Sequence, residues 1–593
     1  MKPVQRHRFV SGVVLLSVLA LIAAACTSSA PDETTTSTTA APTTTTTTVA
    51  PTTTTTLALP QHPVGGEVVI AHEDEPPTLN SFLPGGDRLV LALMGQAFTS
   101  GVFDIDADTL ALIPDLVTTV PTVGNGGVVL NTDGTMTVRY TIREEAQWDD
   151  GTPISGDDFQ FTLDTILNPA HPISPGIYEN ITTATAGAKT FEFTLARPTV
   201  QYESMFNEII PKHIVEGTDF ILDWNDKRWA SSGPFIFDEW KKGESITLRR
   251  NPNYWKVDAS TGQQLPYLDS VIFVFEPNTA AMIDSFTARD IDVFSPNPAI
   301  ANIETLQALE PQGARVDIRP GPVWEHLNFQ FGPGRFDRNE DSCNEYYEMR
   351  LAIAQSIDLK ALTDDILGGK VDPLMSYIDP YSPTVSQEAW SQYSFDPVLA
   401  AENYAKAVAV SGRECKVVFT TNTQNDERAR MSELLTDMFA VSGILFEVQF
   451  EQSNVFYGDT IGIGTWDVGA WTWHGSPGMS GLVGIHDVFD PESPPPLGSN
   501  YYRWGSTDSS IIDDTTVRFA ELRDQINATV DFDELVTLIH EAENILADNL
   551  VFIPLYAHPV TAAVWEDEIG GFVHNPTRAG FTWNLEFWFR NDG

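Results

Sequence analysis

The chain has 593 residues and a net charge of −47, from 34 basic and 81 acidic side chains. Hydrophobic residues make up 42% of it, with 14 Trp and 33 Phe, which suits roughly three to four packed, domain-sized units and excludes a wholly disordered chain. The negative field argues against nucleic acid and anionic lipid headgroups as ligands. It suits solubility in a salty medium, where charges are screened, although acidic surfaces also occur elsewhere.

The chain opens as an export signal. Lys2, Arg6 and Arg8 precede the largely apolar Phe9–Ala25, and small residues lead to Cys26. Removing residues 1–25 takes away those three basic groups and no acid, leaving a net charge of −50. The apolar run of 17 residues is at the short end of the roughly 17–25 that span a bilayer. Ala23-Ala24-Ala25-Cys26 resembles a bacterial lipobox, in which the Cys is lipidated and becomes the new N-terminus, though Ala23 stands where that pattern prefers Leu. Residues 26–63 are Thr-rich with scattered Pro and Ala, and lack the apolar side chains that offset ordering entropy. They are expected to form a disordered tether, holding the body by a lipid at the outer face of the bacterial cell membrane.

In chain order, Val68–Ala71 reads as a buried strand followed by a Pro-rich turn ending at Leu79-Asn80. Val138, Tyr140 and Ile142 alternate as on a half-buried strand, and Asp150-Gly151 marks a turn. Ser155 or Asp157 then caps a helix carrying Phe159, Phe161, Leu163 and Ile166. Ser231–Trp255 predicts a hairpin, with Phe235 and Phe237 on one strand, Ile246 and Leu248 on the other, and Lys242-Gly243 at the reversal. Helices are expected from Asp358 to Gly368 and from Asp396-Pro397, where Asp caps and Pro opens the first turn. Met431, Leu434, Leu435, Met438 and Phe439 share a helical face that Gly443 ends, and Leu445–Phe450 alternates as a strand. The mixture is α/β with mixed sheets, and no internal repeat is present.

These segments, in this order, resemble the family 5 extracellular solute-binding proteins of ABC importers, the peptide, oligopeptide and nickel receptors. The likeness lies in Ser232–Pro234, Trp240, Gly243 and Asn251–Trp255; in Trp148–Leu167; in Phe206–Val215; in Met349–Pro380; and in Phe395–Ala407. It extends over about residues 65–589. It implies a two-lobed periplasmic-binding-protein-like clamp with a discontinuous first lobe, here 64–320 with 555–593, and a second lobe over 321–554. Trp240 and Trp255 are then packing residues. The ligand sits between the lobes, and closure signals to a membrane permease.

Enzymatic signatures are lacking: there is no Gly-x-Ser-x-Gly, no His-Glu-x-x-His and no phosphate loop. The resemblance and the lipid-anchor architecture imply a non-enzymatic receptor without cofactor or metal, monomeric, with a peptide as ligand. An oligosaccharide receptor and a surface hydrolase are the alternatives. Cys343 and Cys415 are the two Cys beyond Cys26, and in an exported chain they favour a disulfide over two buried thiols.

The resemblance places the cleft on Thr465–Gly478. Trp471 and Trp473 lie two apart and share a strand face, as core or as ligand-stacking residues. Trp324 and Asn328, at the crossing into the second lobe, and Asn80, after the first strand, are further ligand candidates. In the familiar peptide receptors an Asp three residues after the cleft Trp pairs with the peptide's α-amino group. Here that position is His474, and no acid lies between Asp467 and Asp487. A neutral imidazole offers an acceptor but no charge. Acetylating a ligand's amine is accordingly expected to change affinity by less than about tenfold.

Overall fold

A computed structural model describes residues 59–591 apart from Asp87 and Gln424. The export signal, Cys26 and the Thr-rich tether up to residue 58 lie outside the described residues. The last tether residues require a correction. Gln61 Nε2 donates to the Thr261 carbonyl at 3.0 Å, His62 exchanges two hydrogen bonds with Gln263, and the His62 ring stacks on Phe589 at 4.1 Å. One aromatic contact and several paired amides offset the ordering cost there, so Gln61 and His62 belong to the folded body.

Strand β1 (Glu67–His72) is followed by the short hairpin β2 (Phe103–Ile105) and β3 (Leu112–Pro114). Next come β4 (Val128–Leu130), β5 (Met136–Thr141), β6 (Ile181–Ala186) and β7 (Thr190–Leu195), a small antiparallel sheet in the order β4-β5-β7-β6. β8 (Phe235–Lys241), β9 (Ser245–Arg250), β10 (Ser270–Phe275) and β11 (Val293–Phe294) lead to the long β12 (Ala314–Phe329). The remaining long segments are β13 (Val417–Asn422), β14 (Phe446–Glu451), β15 (Val468–His474) and β16 (Phe552–Trp565). Ten strands form one mixed sheet, ordered β14-β13-β15-β12-β16-β11-β1-β10-β9-β8.

The sheet changes character in its middle. β12 and β16 run antiparallel along both parts: Ala314–Pro320 faces Trp565–Pro559, and Trp324–Asn328 faces Ala557–Phe552. Between these stretches the register shifts, where Pro320 stands opposite Pro559 and Pro322 follows. Proline has no N–H to give, so the ladder is interrupted where the two parts meet. β1 and β8–β11 pack on one side of that break, and β13–β15 on the other.

Local signals produced the expected elements. In the hairpin, Ile246 and Leu248 are fully buried on one face of β9, and Gly243 takes φ +75° at the reversal. Trp240 is partly buried and donates from Nε1 to Glu75 at 2.8 Å. The helix Gly156–Ile166 begins where Asp158 Oδ2 accepts from the Ser155 N–H at 2.9 Å, and Asp158 Oδ1 accepts from the Lys212 N–H at 3.0 Å. Strand β14 departs from its amphipathic reading: Phe446 and Val448 pack inward, but Phe450 is 44% exposed, because β14 is an edge strand.

The second half of the chain buries a matched ion pair. Glu325, on β12, is fully buried and receives Arg428 Nε at 2.9 Å and Nη2 at 3.0 Å. Burial alone would raise this carboxyl, but Arg428 and His558 outweigh it and hold it at about 2. Cys343 and Cys415 are both buried, with Cα atoms 5.2 Å apart, a separation that a disulfide spans.

Candidate ligand-binding cleft

Strand β15 carries the expected site segment to the break in the sheet. It pairs with β12 so that Trp473 faces Trp324, Trp471 faces His326 and Gly469 faces Asn328. Trp471 and Trp473 do share a face, since both rings approach His326. Their surroundings differ. Trp471 is closed in by Trp466 at 5.0 Å, Tyr502 at 5.9 Å and Phe456 at 6.4 Å, and is only 3% exposed. Trp473, nearer the strand end, is partly exposed, stacks on Tyr501 and donates from Nε1 to the Tyr502 hydroxyl at 3.0 Å.

A cavity of ≈ 550 Å³ opens beside Trp473 and His474. One wall is Phe103, Ile105 and Leu112 of the β2–β3 hairpin with Gln201, Glu203, Ser204 and Asn207; the other is Tyr381 and the stretch from Trp473 to Val488. A second cavity of ≈ 330 Å³ shares Phe103, Ile105 and Asn207 with the first and continues toward Lys256. Two chain segments far apart in sequence thus face each other across a continuous space.

Of the expected ligand residues, the structure brings Trp473 and His474 to this cavity. The others require correction. Trp324 and Asn328 are fully buried: Trp324 packs against Phe552 and reaches the cavity only through Tyr381, whose hydroxyl accepts from Trp324 Nε1 at 3.3 Å. Asn328 lies in the sheet interior, its amide donating to the His326 carbonyl at 3.3 Å. Asn80 shapes its own turn, accepting from the Phe82 N–H at 3.2 Å and donating to the Phe220 carbonyl at 3.0 Å. Trp471 is a core residue for the reason given above.

Glu203 escaped the sequence reading. It lies in the 3-10 turn Val200–Ser204, lines the cavity and is 7% exposed. Its Oε2 accepts from the Met479 N–H at 3.0 Å, across the cavity junction, and the Ser480 N–H adds to it. Burial pushes its carboxyl up to about 7, against the opposing pull of those two amides. Gly478 makes the approach possible: it has φ +80°, and a Cβ there would lie 3.1 Å from the Glu203 carboxylate. The Ser-Pro-Gly at 476–478 was the one available sequence signal, and it names no partner. With Glu203 in the cavity, the lack of an acid near His474 no longer implies a site without a carboxylate.

Farther along, Lys256 Nζ meets Asp115 at 2.7 Å and Glu586 at 3.0 Å. Burial works against this ammonium, yet the two carboxylates overrule it and hold its pKa well above the usual lysine value. Asp104, beside them, is pushed up to about 7 by burial and by the charge of Asp115. Among the described residues no group of three or more His, Cys, Asp or Glu is placed to hold a metal ion. No helix among them is long and apolar enough to cross a membrane.

Residues 112–482 match the family model described as bacterial extracellular solute-binding proteins, family 5. An oligopeptide-binding protein of Mycobacterium tuberculosis, OppA, is 24% identical over 432 residues, covering 69% of each chain. Among solved structures, the murein tripeptide-binding protein MppA in its unliganded open form matches with a TM-score of 0.68 and 18% identity, over 90% of this chain and 99% of that one. The oligopeptide-binding protein AppA of Bacillus subtilis, in complex with a nonapeptide, matches with a TM-score of 0.55 and 19% identity, over 89% and 100%. These likenesses establish the fold as the two-lobed α/β clamp.

Proposed function

Because the chain belongs to the family 5 bacterial extracellular solute-binding proteins, we propose that it captures a peptide between two closing lobes and hands it to the membrane permease of an ABC importer, without chemical turnover. The observation that carries this reading is the cavity of ≈ 550 Å³ walled by the β2–β3 hairpin and residues 201–207 on one side and by Tyr381 and residues 473–488 on the other. Its aromatic faces and its neutral polar groups suit an extended chain held through its main chain, with side chains in pockets. Relatives of this chain bear oligopeptide-binding names, which favours a peptide over an oligosaccharide.

In this reading the first lobe is residues 64–320 with 555–593, the second is 321–554, and the Pro320–Pro322 break lies where they hinge. Trp473 and His474 contact the ligand. Cys343 and Cys415 are bonded and brace the second lobe, Cys26 carries a lipid, and the protein works as a tethered monomer outside the membrane.

The test is to incubate purified protein with defined peptides and oligosaccharides. Saturable peptide binding with the peptide recovered intact is expected. Hydrolysis of either class would overturn the receptor reading, and binding of sugars alone would overturn the peptide.

A further inference from the structure

Glu203 is a buried carboxylate that the fold leaves without a countercharge. Thr199 caps its short turn, accepting from the Gln201 N–H at 3.2 Å. Two backbone amides reach it, from Met479 and Ser480, but among the described residues no Lys, Arg or His forms an ion pair with it. Glu325 has Arg428, and Asp115 and Glu586 have Lys256. Asp158, Asp467 and Glu543 are buried without an ion pair among the described residues, as Glu203 is, but they are held by neutral donors away from this cavity.

The cavity around Glu203 has the chemistry of a cation site. No Lys or Arg lines it. Trp473, Tyr381 and Phe103 line it, and the face of an aromatic ring attracts a cation placed over it. Gln201, Ser204 and Asn207 add neutral oxygen acceptors on the same wall as the carboxylate. An ammonium or guanidinium entering here would find one charged acceptor, already oriented by amides and shielded from water, where a charge-assisted hydrogen bond is strong.

We infer that Glu203 is the charge-selecting residue of the cleft, receiving a cationic group of the captured ligand, an ammonium or a guanidinium. This rests on the cavity being the ligand site. The cation has two sources in a peptide, its free N-terminus or a Lys or Arg side chain, and both offer N–H donors with positive charge.

Calorimetry on the full folded chain, with three peptides of equal length, decides it: free amine with neutral side chains, N-acetylated with neutral side chains, and N-acetylated with one Lys. The wild type is expected to bind at least one of the two charged peptides about 30-fold or more tighter than the uncharged one. The peptide that shows the preference identifies the source. Glu203→Gln, which keeps the side chain's shape, should reduce that preference to within about threefold and leave affinity for the uncharged peptide nearly unchanged. Thermal melts on the same samples establish that the variant is folded. If Glu203→Gln weakens all three peptides alike, the carboxylate serves to hold Met479 and Ser480, and the inference is overturned. Equal affinities in the wild type overturn it without recourse to any variant. Failure of every peptide to bind would instead remove the capture reading, and the inference with it.

Discussion

Glu325 and Glu203 are both buried carboxylates, yet their surroundings drive them in opposite directions. In the core of the second half, Glu325 meets a bidentate guanidinium and is held at about 2. At the cavity wall, Glu203 meets only two amides and is pushed up to about 7. The fold itself compensates Glu325, and leaving that charge unpaired would cost several kcal/mol. Glu203 instead lines a cavity, where the inferred partner is a cationic group of the ligand.

The largest expected effect breaks the compensated side. Arg428→Met strands Glu325 in the sheet interior and should cost about 3–5 kcal/mol of stability, read from denaturant midpoints. A loss below about 1 kcal/mol would mean that the pair does not anchor the core.

Next is the cross-link within that half. If Cys343 and Cys415 are bonded across a sequence separation of 72 residues, replacing both with Ser should cost about 2–4 kcal/mol. Two free thiols titrated in the unfolded, unreduced wild type would contradict it.

The pH dependence of the two acids should run in opposite senses. Glu203 is raised in the fold from the usual 4.5 to about 7, so the folded state holds its proton more tightly. Its contribution therefore declines as pH rises from about 4.5 through 7, by up to about 3 kcal/mol without ligand. Between pH 5 and 8 the wild type should lose thermal stability relative to Glu203→Gln; parallel melting curves would contradict this. Glu325 is lowered, so its contribution is intact above about 4.5 and is lost as pH falls toward 2.

The smallest effect separates the two tryptophans. Trp473→Ala should weaken peptide binding about tenfold, or about 1.4 kcal/mol, with little loss of stability. Trp471→Ala should be read chiefly in stability, since that ring fills the core. The reverse pattern would mean that the ligand reaches past Trp473.

Local elements were legible because their signals are local. Phe235/Phe237 and Ile246/Leu248 around Lys242-Gly243 specify the hairpin, Ser155, of the two caps considered, starts a helix, and Asp358 and Asp396 cap two more. The resemblance pointed to the strand, and its Trp-x-Trp spacing put both rings on one face. What was not legible depended on long-range pairing. Period-2 alternation puts Trp471 and Trp473 on one face but says nothing of Phe456 and Trp466, whose rings pack against the first. Trp324 is buried by Tyr377 and Phe552, which belong to other segments, and Asn328 lies in the sheet interior between β15 and β16. Glu203 is hidden for the same reason: its partners, Met479 and Ser480, lie on the opposite wall of the cavity.

The central claim, that the cleft captures a peptide and does not process it, is tested most directly by mass spectrometry of protein purified natively, with the retained small molecules released by denaturation. Intact peptides at near-stoichiometric amounts, lost in a variant combining Trp473→Ala and Glu203→Gln, are the predicted result. Release of sugars instead, or retention of the same peptides by that double variant, would contradict it.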